Sequence, residues 1–259
     1  MRVPVVQQHR RRRRALRRRA LWTGGELLVT AGVVLLLLVV QQLWWTNREA
    51  RRGAERQVQA LERQWATQTP APGATSTPAN TDAADGSSPH RTTSATAARG
   101  SGGSTTTSQP SQAYAILTIP RLHLRVPIAE GVSKQKVLNK GYVGHYPGTQ
   151  QPGQAGNFAL AGHRNTHGEP FRYLPRLRLK DTVRVETGAA TYTYTVDKIL
   201  PQTSAADSGV IRPVPHSTVK PSYGYRTPGY YITLTTCTPE FTSRYRMVVW
   251  GTLTSTRPR

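Results

Sequence analysis

Cysteine and acidic residues are both scarce in this 259-residue chain, which has one cysteine and 13 Asp+Glu against 35 Lys+Arg. A single cysteine excludes an intramolecular disulfide framework and a four-cysteine zinc site. The shortage of acid leaves a formal net charge of +22, and such a balance invites a nucleic-acid reading until the charges are placed. Residues 1–20 hold nine arginines and no acid, residues 21–111 are nearly balanced, and residues 112–259 hold nineteen basic and seven acidic residues. Much of the excess is therefore concentrated at one end.

Charge is then missing altogether from residues 27–40 (LLVTAGVVLLLLVV), which Gln41, Gln42, Leu43, Trp44 and Trp45 follow. With residues 21–25 this makes about 20–25 largely apolar residues, enough for a hydrocarbon core about 30 Å thick. Glu26 is the one defect, near the end where a carboxylate reaches the headgroups. Trp44 and Trp45 sit where an interfacial aromatic belt belongs. The arginines at 10–14 and 17–19 flank the opposite end, and the positive-inside rule makes residues 1–20 a cytoplasmic tail. The expectation is a single-pass cell-membrane protein, spanning at residues 21–45, with everything from residue 46 extracellular. A cleaved signal peptide would carry a shorter apolar run, about 7–15 residues, and small residues where Leu43-Trp44-Trp45 stand. An arginine-rich nucleic-acid arm would leave the adjacent apolar run without a purpose, so no nucleic-acid partner is expected.

Residues 47–66 alternate in charge and place Ala54, Val58, Leu61 and Trp65 at helical spacing. The spacing predicts a juxtamembrane helix over 46–66, either a self-association stripe or a continuation of the membrane helix. Residues 67–112 are nearly all Thr, Ser, Ala, Pro, Gly, Gln, Asn or Asp. That composition buries too little apolar surface to offset ordering entropy and predicts a disordered linker. As a random coil its ends lie about 35–40 Å apart, a tether on which a folded head could stand off from the membrane.

Residues 113–259 suffice for one domain with its own core. β-Branched and aromatic runs at 114–119, 126–128, 158–161, 182–186, 191–196, 230–236 and 246–253 are bounded by Gly, Pro and Asn clusters. Only 134–140 and 170–177 read as helical. Many short strands without βαβ alternation predict an all-β barrel or sandwich.

Cys237 closes the run Thr233-Leu234-Thr235-Thr236-Cys237. A lone cysteine is usually a small buried hydrophobe. Here it faces an oxidising exterior, where an idle thiol is a liability, and Pro239 stops the strand just beyond it. A nucleophilic thiol needs a base or cation beside it. His123, His145, His163, His167 and His216 are available, and His163 stands out because it follows the apolar strand 158–161. A donor for the developing oxyanion is also required. Arg244 and Arg246 begin the next strand, share a parity, and are not separated by periodicity.

The anchor, the Ala161-Gly162-His163-Arg164 turn, the TLTTC stretch and Arg246 nine residues past Cys237 together resemble the sortases, most closely the class E enzymes of high-GC Gram-positive bacteria. The resemblance covers residues 113–253. It implies an eight-stranded β-barrel and an enzyme that cuts a C-terminal sorting signal between Thr and Gly through a thioester. The acyl group then passes to an amine of a cell-wall precursor or a pilin. By the same resemblance Cys237 is the nucleophile, His163 the acid/base and Arg246 the arginine that steadies substrate and oxyanion. Thr236 helps hold the tetrahedral intermediate, and Thr235 and Ala161 line the peptide groove. Tyr146, in Gly144-His145-Tyr146-Pro147-Gly148, matches a tyrosine linked to preference for Leu-Ala-x-Thr-Gly over Leu-Pro-x-Thr-Gly. Class E members often have histidine directly after the cysteine, where this chain has Thr238. The acidic cluster that binds calcium in some class A sortases has no counterpart here, so neither metal nor cofactor is expected. Two other functions fit the bare residues: a tethered β-domain that binds wall polymer without catalysis, and a cysteine hydrolase that uses water as the acceptor.

Overall fold

The computed structural model of the protein describes residues 6–68 and 112–259. A single helix, α1 (Val6–Gln68), runs through the basic block, the apolar run and the charged segment without interruption. No proline occurs between residues 6 and 68, and Leu, Ala, Arg and Gln favour helix throughout. From Trp22 onward it is the one helix among the described residues that is long and apolar enough to cross a membrane. Residues 46–66 therefore continue the apolar helix.

The stripe on that continuation is not available for self-association. Ala54, Val58, Leu61 and Trp65 are buried against Ala113, Ile116, Ala129, Val137 and Tyr142 of the head. The helical repeat presents one apolar face, and that face meets apolar residues on the outside of the sheet. Glu62 adds an ion pair to Arg125 across the junction at 2.6 Å. Residues 69–111 of the expected linker lie outside the described residues. The segments on either side of them, at Trp65 and Ala113, belong to one apolar cluster. The head is thus held by the docked helix.

Eight strands follow: β1 (Ala113–Ile119), β2 (Leu124–Glu130), β3 (Val143–His145), β4 (Gly156–Ala161), β5 (Thr182–Glu186), β6 (Ala190–Ser204), β7 (Tyr230–Thr238) and β8 (Tyr245–Pro258). They close a barrel in the order β1-β2-β3-β4-β7-β8-β6-β5, as the resemblance implied. The β2–β3 and β4–β7 pairs are parallel. Leu117, Ile128, Phe158, Leu160, Leu234 and Val249 fill the interior with their inward-facing side chains. Three details depart from the sequence reading. β3 has only three residues, too few for an alternation to register, and its Gly144 packs so close to Gly131 that a Cβ would lie 2.4 Å from the Gly131 carbonyl oxygen. β6 runs past Pro201, which a bulge between Leu200 and Thr203 accommodates. The stretches 134–140 and 170–177 form only short 3-10 turns, Leu138–Lys140 and Leu174–Arg176.

The long connection from β6 to β7 is organised around buried Asp207. Its carboxylate accepts hydrogen bonds from Thr203 Oγ1, Ser217 Oγ, and both the backbone N–H and Oγ1 of Thr218. Burial alone would push this carboxyl up, but those donors outweigh it and hold it below the ordinary carboxylate range. A carboxyl depressed in the folded state stabilises above its unfolded pKa, and that stability is lost as pH falls through the folded value. Asp207→Ala is expected to cost about 2 kcal/mol in urea unfolding at pH 7, because it strands several buried donors. The difference from wild type should shrink as the pH is lowered; a constant difference would count against the ionised carboxylate as its source.

Candidate active site

β4 and β7 lie side by side and parallel, with Ala161 opposite Thr235. Parallel neighbours end at the same rim of a barrel, so His163, two residues past Ala161, emerges beside Cys237, two residues past Thr235. β7 and β8 are antiparallel, and Cys237 is paired directly with Arg246. Directly opposed residues project from the same face. Arg246 is therefore the arginine that faces the thiol. Arg244 precedes β8, its guanidinium 5.2 Å from the centroid of the Tyr245 ring.

Cys237, His163 and Arg246 line one cavity of about 870 Å³. Lys134, Arg164, His167 and Glu169 share its wall. His163 Nε2 lies 2.9 Å from Asn139 Oδ1, which can only accept, so Nε2 carries the hydrogen and Nδ1 is left to take a proton. Its ring stacks on His167, centroids 5.4 Å apart. Burial, then the neighbouring His167 and Lys134, push the His163 pKa down to about 4. The imidazole is neutral at physiological pH.

The histidine turn and the cysteine strand are cross-bonded. Arg164 donates to the Cys237 carbonyl at 3.3 Å and to Thr238 Oγ1 at 3.0 Å, while Thr236 Oγ1 donates to the Gly162 carbonyl at 2.8 Å. Arg246 donates to the Ser243 and Tyr245 carbonyls, which holds its side chain alongside the strand end.

The residues expected to bind substrate lie on or beside the strand ends. Thr235, Thr236 and Ala161 are buried at the ends of β7 and β4, and neither they nor Tyr146 line the cavity. Thr235 Oγ1 gives its hydrogen to the Leu160 carbonyl and so accepts from the Tyr146 hydroxyl, at 3.1 Å in each case. These bonds brace the strands beneath the site. Of the five histidines in the head, only His163 and His167 line the cavity. His145 is fully buried against Glu130 and Tyr114.

Sequence reasoning gave no role to Lys134 and Asn139, in the stretch read as helical, or to Arg164, which it quoted only as part of the histidine turn. It also missed an entire wall. Gln42, Trp44, Thr46 and Asn47 of α1 line the same cavity. The available signal was that Asn47 and Arg51 continue, at helical spacing, the stripe of Ala54, Val58, Leu61 and Trp65.

The Sortase domain family matches residues 117–254. The chain is similar to Sortase SrtE1 of Streptomyces coelicolor, 53% identical over 156 residues that cover 58% of this chain and 43% of that protein. It is also similar to Sortase SrtE2 of the same organism, 36% identical over 145 residues that cover 54% and 55% respectively. The chain thus matches about half the length of these curated relatives. Among solved structures, Sortase E1 from Streptomyces coelicolor with a tripeptide in the active site superposes with a TM-score of 0.54 at 52% identity, covering 59% of this chain and 94% of that one.

Proposed function

Because the chain belongs to the sortase family, we propose that it is a membrane-anchored cysteine transpeptidase acting on secreted proteins that carry a C-terminal sorting signal. The signal is of the Leu-Ala-x-Thr-Gly or Leu-Pro-x-Thr-Gly type, cut between Thr and Gly, and the acceptor is an amine of a cell-wall precursor or a pilin. The arginines at 10–14 and 17–19 keep the N-terminus in the cytoplasm, and the barrel works outside. The observation that carries the reading is the convergence of Cys237, His163 and Arg246, at the ends of three neighbouring strands, on one cavity.

In the first half-reaction Cys237 Sγ bonds to the Thr carbonyl carbon while its proton moves to His163. Arg246 stabilises the oxyanion that results. The intermediate collapses with cleavage of the Thr–Gly bond, and His163 returns the proton to the departing glycine amine. In the second half an amine attacks the thioester, His163 removes its proton, and the C–S bond breaks as the thiol is restored. Tyr146, Ala161, Thr235 and Thr236 then act by shaping the strand ends that carry the reacting groups. The tripeptide seen in the active site of the Streptomyces relative supports a peptide occupant for this cavity.

Mass spectrometry of the protein incubated with a sorting-signal peptide tests this. An acyl mass on Cys237, discharged to a joined product when an amine is added, is the expected result. An acyl-enzyme that yields only the hydrolysed acid with amine present would make it a hydrolase, and no adduct at all would favour a binding domain. Arg246→Lys keeps the charge but loses the planar fork of donors. It is expected to lower kcat/KM about 100-fold while thioester formation stays detectable.

A further inference from the structure

α1 does more than carry the head, because one of its turns touches both of the segments that surround His163. Gly168 is held from two sides: its N–H donates to Asn47 Oδ1 at 2.6 Å, and its carbonyl accepts from Arg51 Nε at 3.1 Å. Arg51 also pairs with buried Glu169 at 2.8 Å. Asn47 and Arg51 lie four residues apart, one above the other on a single helix face. Between them Ala50 presses on Gly141, where a Cβ would come within 2.8 Å of the Ala50 carbonyl oxygen.

Both contact points lead to His163. Gly168 follows His167, the ring on which His163 stacks. Gly141 caps the 3-10 turn Leu138–Lys140, which carries Asn139, the hydrogen-bond partner of His163 Nε2. The loop itself is in an unfavourable conformation. His167, Gly168 and Glu169 have φ values of +52°, +84° and +51°, three left-handed residues in succession. Only the glycine adopts such a conformation without steric cost, and a run of this kind persists where surrounding contacts over-determine it. Asn47 and Arg51 supply those contacts.

We propose that the anchor helix is a component of the active site, with Asn47 and Arg51 as positioning residues that hold the 163–169 loop, and through it His163, in reacting geometry. This rests on the reading of Cys237 and His163 as the reacting pair. It makes the docked part of the helix a contributor to the chemical step and places the catalytic mouth beside Trp44.

The test uses the full chain in lipid nanodiscs and follows two quantities, kcat with a sorting-signal peptide and the titration of the His163 ring by NMR. Asn47→Ala and Arg51→Ala are each expected to lower kcat about tenfold with KM within twofold, as small misplacements of reacting groups do. The His163 titration should rise from its depressed value toward that of an ordinary histidine as His167 and Asn139 loosen. Asn47→Asp retains an acceptor for the Gly168 N–H and should recover most of the kcat lost in Asn47→Ala. Leu61→Ala weakens docking far from the loop; it should lower the melting temperature and leave the His163 titration where it was. Wild-type kcat and titration in both alanine variants would overturn the proposal, and so would an equal shift in Leu61→Ala. A wild-type chain that turns over no peptide would instead count against the transpeptidase reading, and the ring titration would still decide the positioning role.

Discussion

Cys237→Ala is expected to yield no acyl-enzyme and no joined product, with the melting temperature within a few degrees of wild type. Cys237 is only partly buried at the end of β7, so the exchange removes one sulfur atom and opens no large cavity. The loss is complete because no other residue can take over the covalent step: the chain has no second cysteine. Cys237→Ser should be nearly as inactive. A hydroxyl is a far weaker acid than a thiol, and a base whose conjugate acid has a pKa of about 4 is too weak to deprotonate it. Intact-mass measurement after incubation with peptide reads both variants, and an adduct on Cys237→Ala would remove the thioester from the mechanism.

His163→Gln carries the second large effect, a fall in kcat/KM of about 10²–10⁴-fold, the range expected for loss of a general acid–base. Glutamine can still donate to Asn139 but cannot shuttle a proton, so the measurement isolates proton transfer from packing. With a pKa of about 4, about one imidazole in a thousand is protonated at pH 7. The thiol–imidazole and thiolate–imidazolium pairs hold the same number of protons, so proton transfer within the pair leaves the pH profile unchanged. What the profile reports is the entry of an extra proton. The acid limb of kcat/KM is therefore expected near pH 4, and a limb near 6.5 would contradict the burial of His163. Stability follows the same sign. A histidine depressed in the folded state binds fewer protons than in the unfolded chain between pH 6.5 and 4, so the wild type loses stability across that window. His163→Gln should lose less, as read from paired thermal melts.

Alternation and turn chemistry were enough to locate seven of the strands, because a half-buried sheet imposes a period of two on the sequence. They failed at β3, where three residues with a glycine at the centre present no period. They also failed beyond Pro201, where β6 continues by bulging. The site was legible only as a set of candidates. Cys237 was marked by solitude in an extracellular setting, and His163 by the end of an apolar strand. Neither observation says that β4 and β7 are parallel neighbours, and that pairing is what brings the two residues together. The choice between Arg244 and Arg246 is likewise a matter of register, invisible to a parity that both share.

By itself the sequence determined the properties that depend on local composition: an apolar span, an arginine block at one end of it, an all-β head and a single thiol. Hydrophobic length and side-chain period are properties of a segment and need no partner to be read. Tertiary structure alone decided which strand ends meet, which arginine faces the cysteine, and where the stripe on α1 docks. Those outcomes depend on contacts between residues far apart in the chain, such as Asn47 with Gly168 and Ala161 with Thr235. A helical stripe looks the same in sequence whether it meets a second copy, a bilayer or its own barrel. Here it meets the barrel, because Ile116, Ala129 and Tyr142 offer it an apolar face, and the apolar helix thereby supplies one wall of the cavity at Cys237.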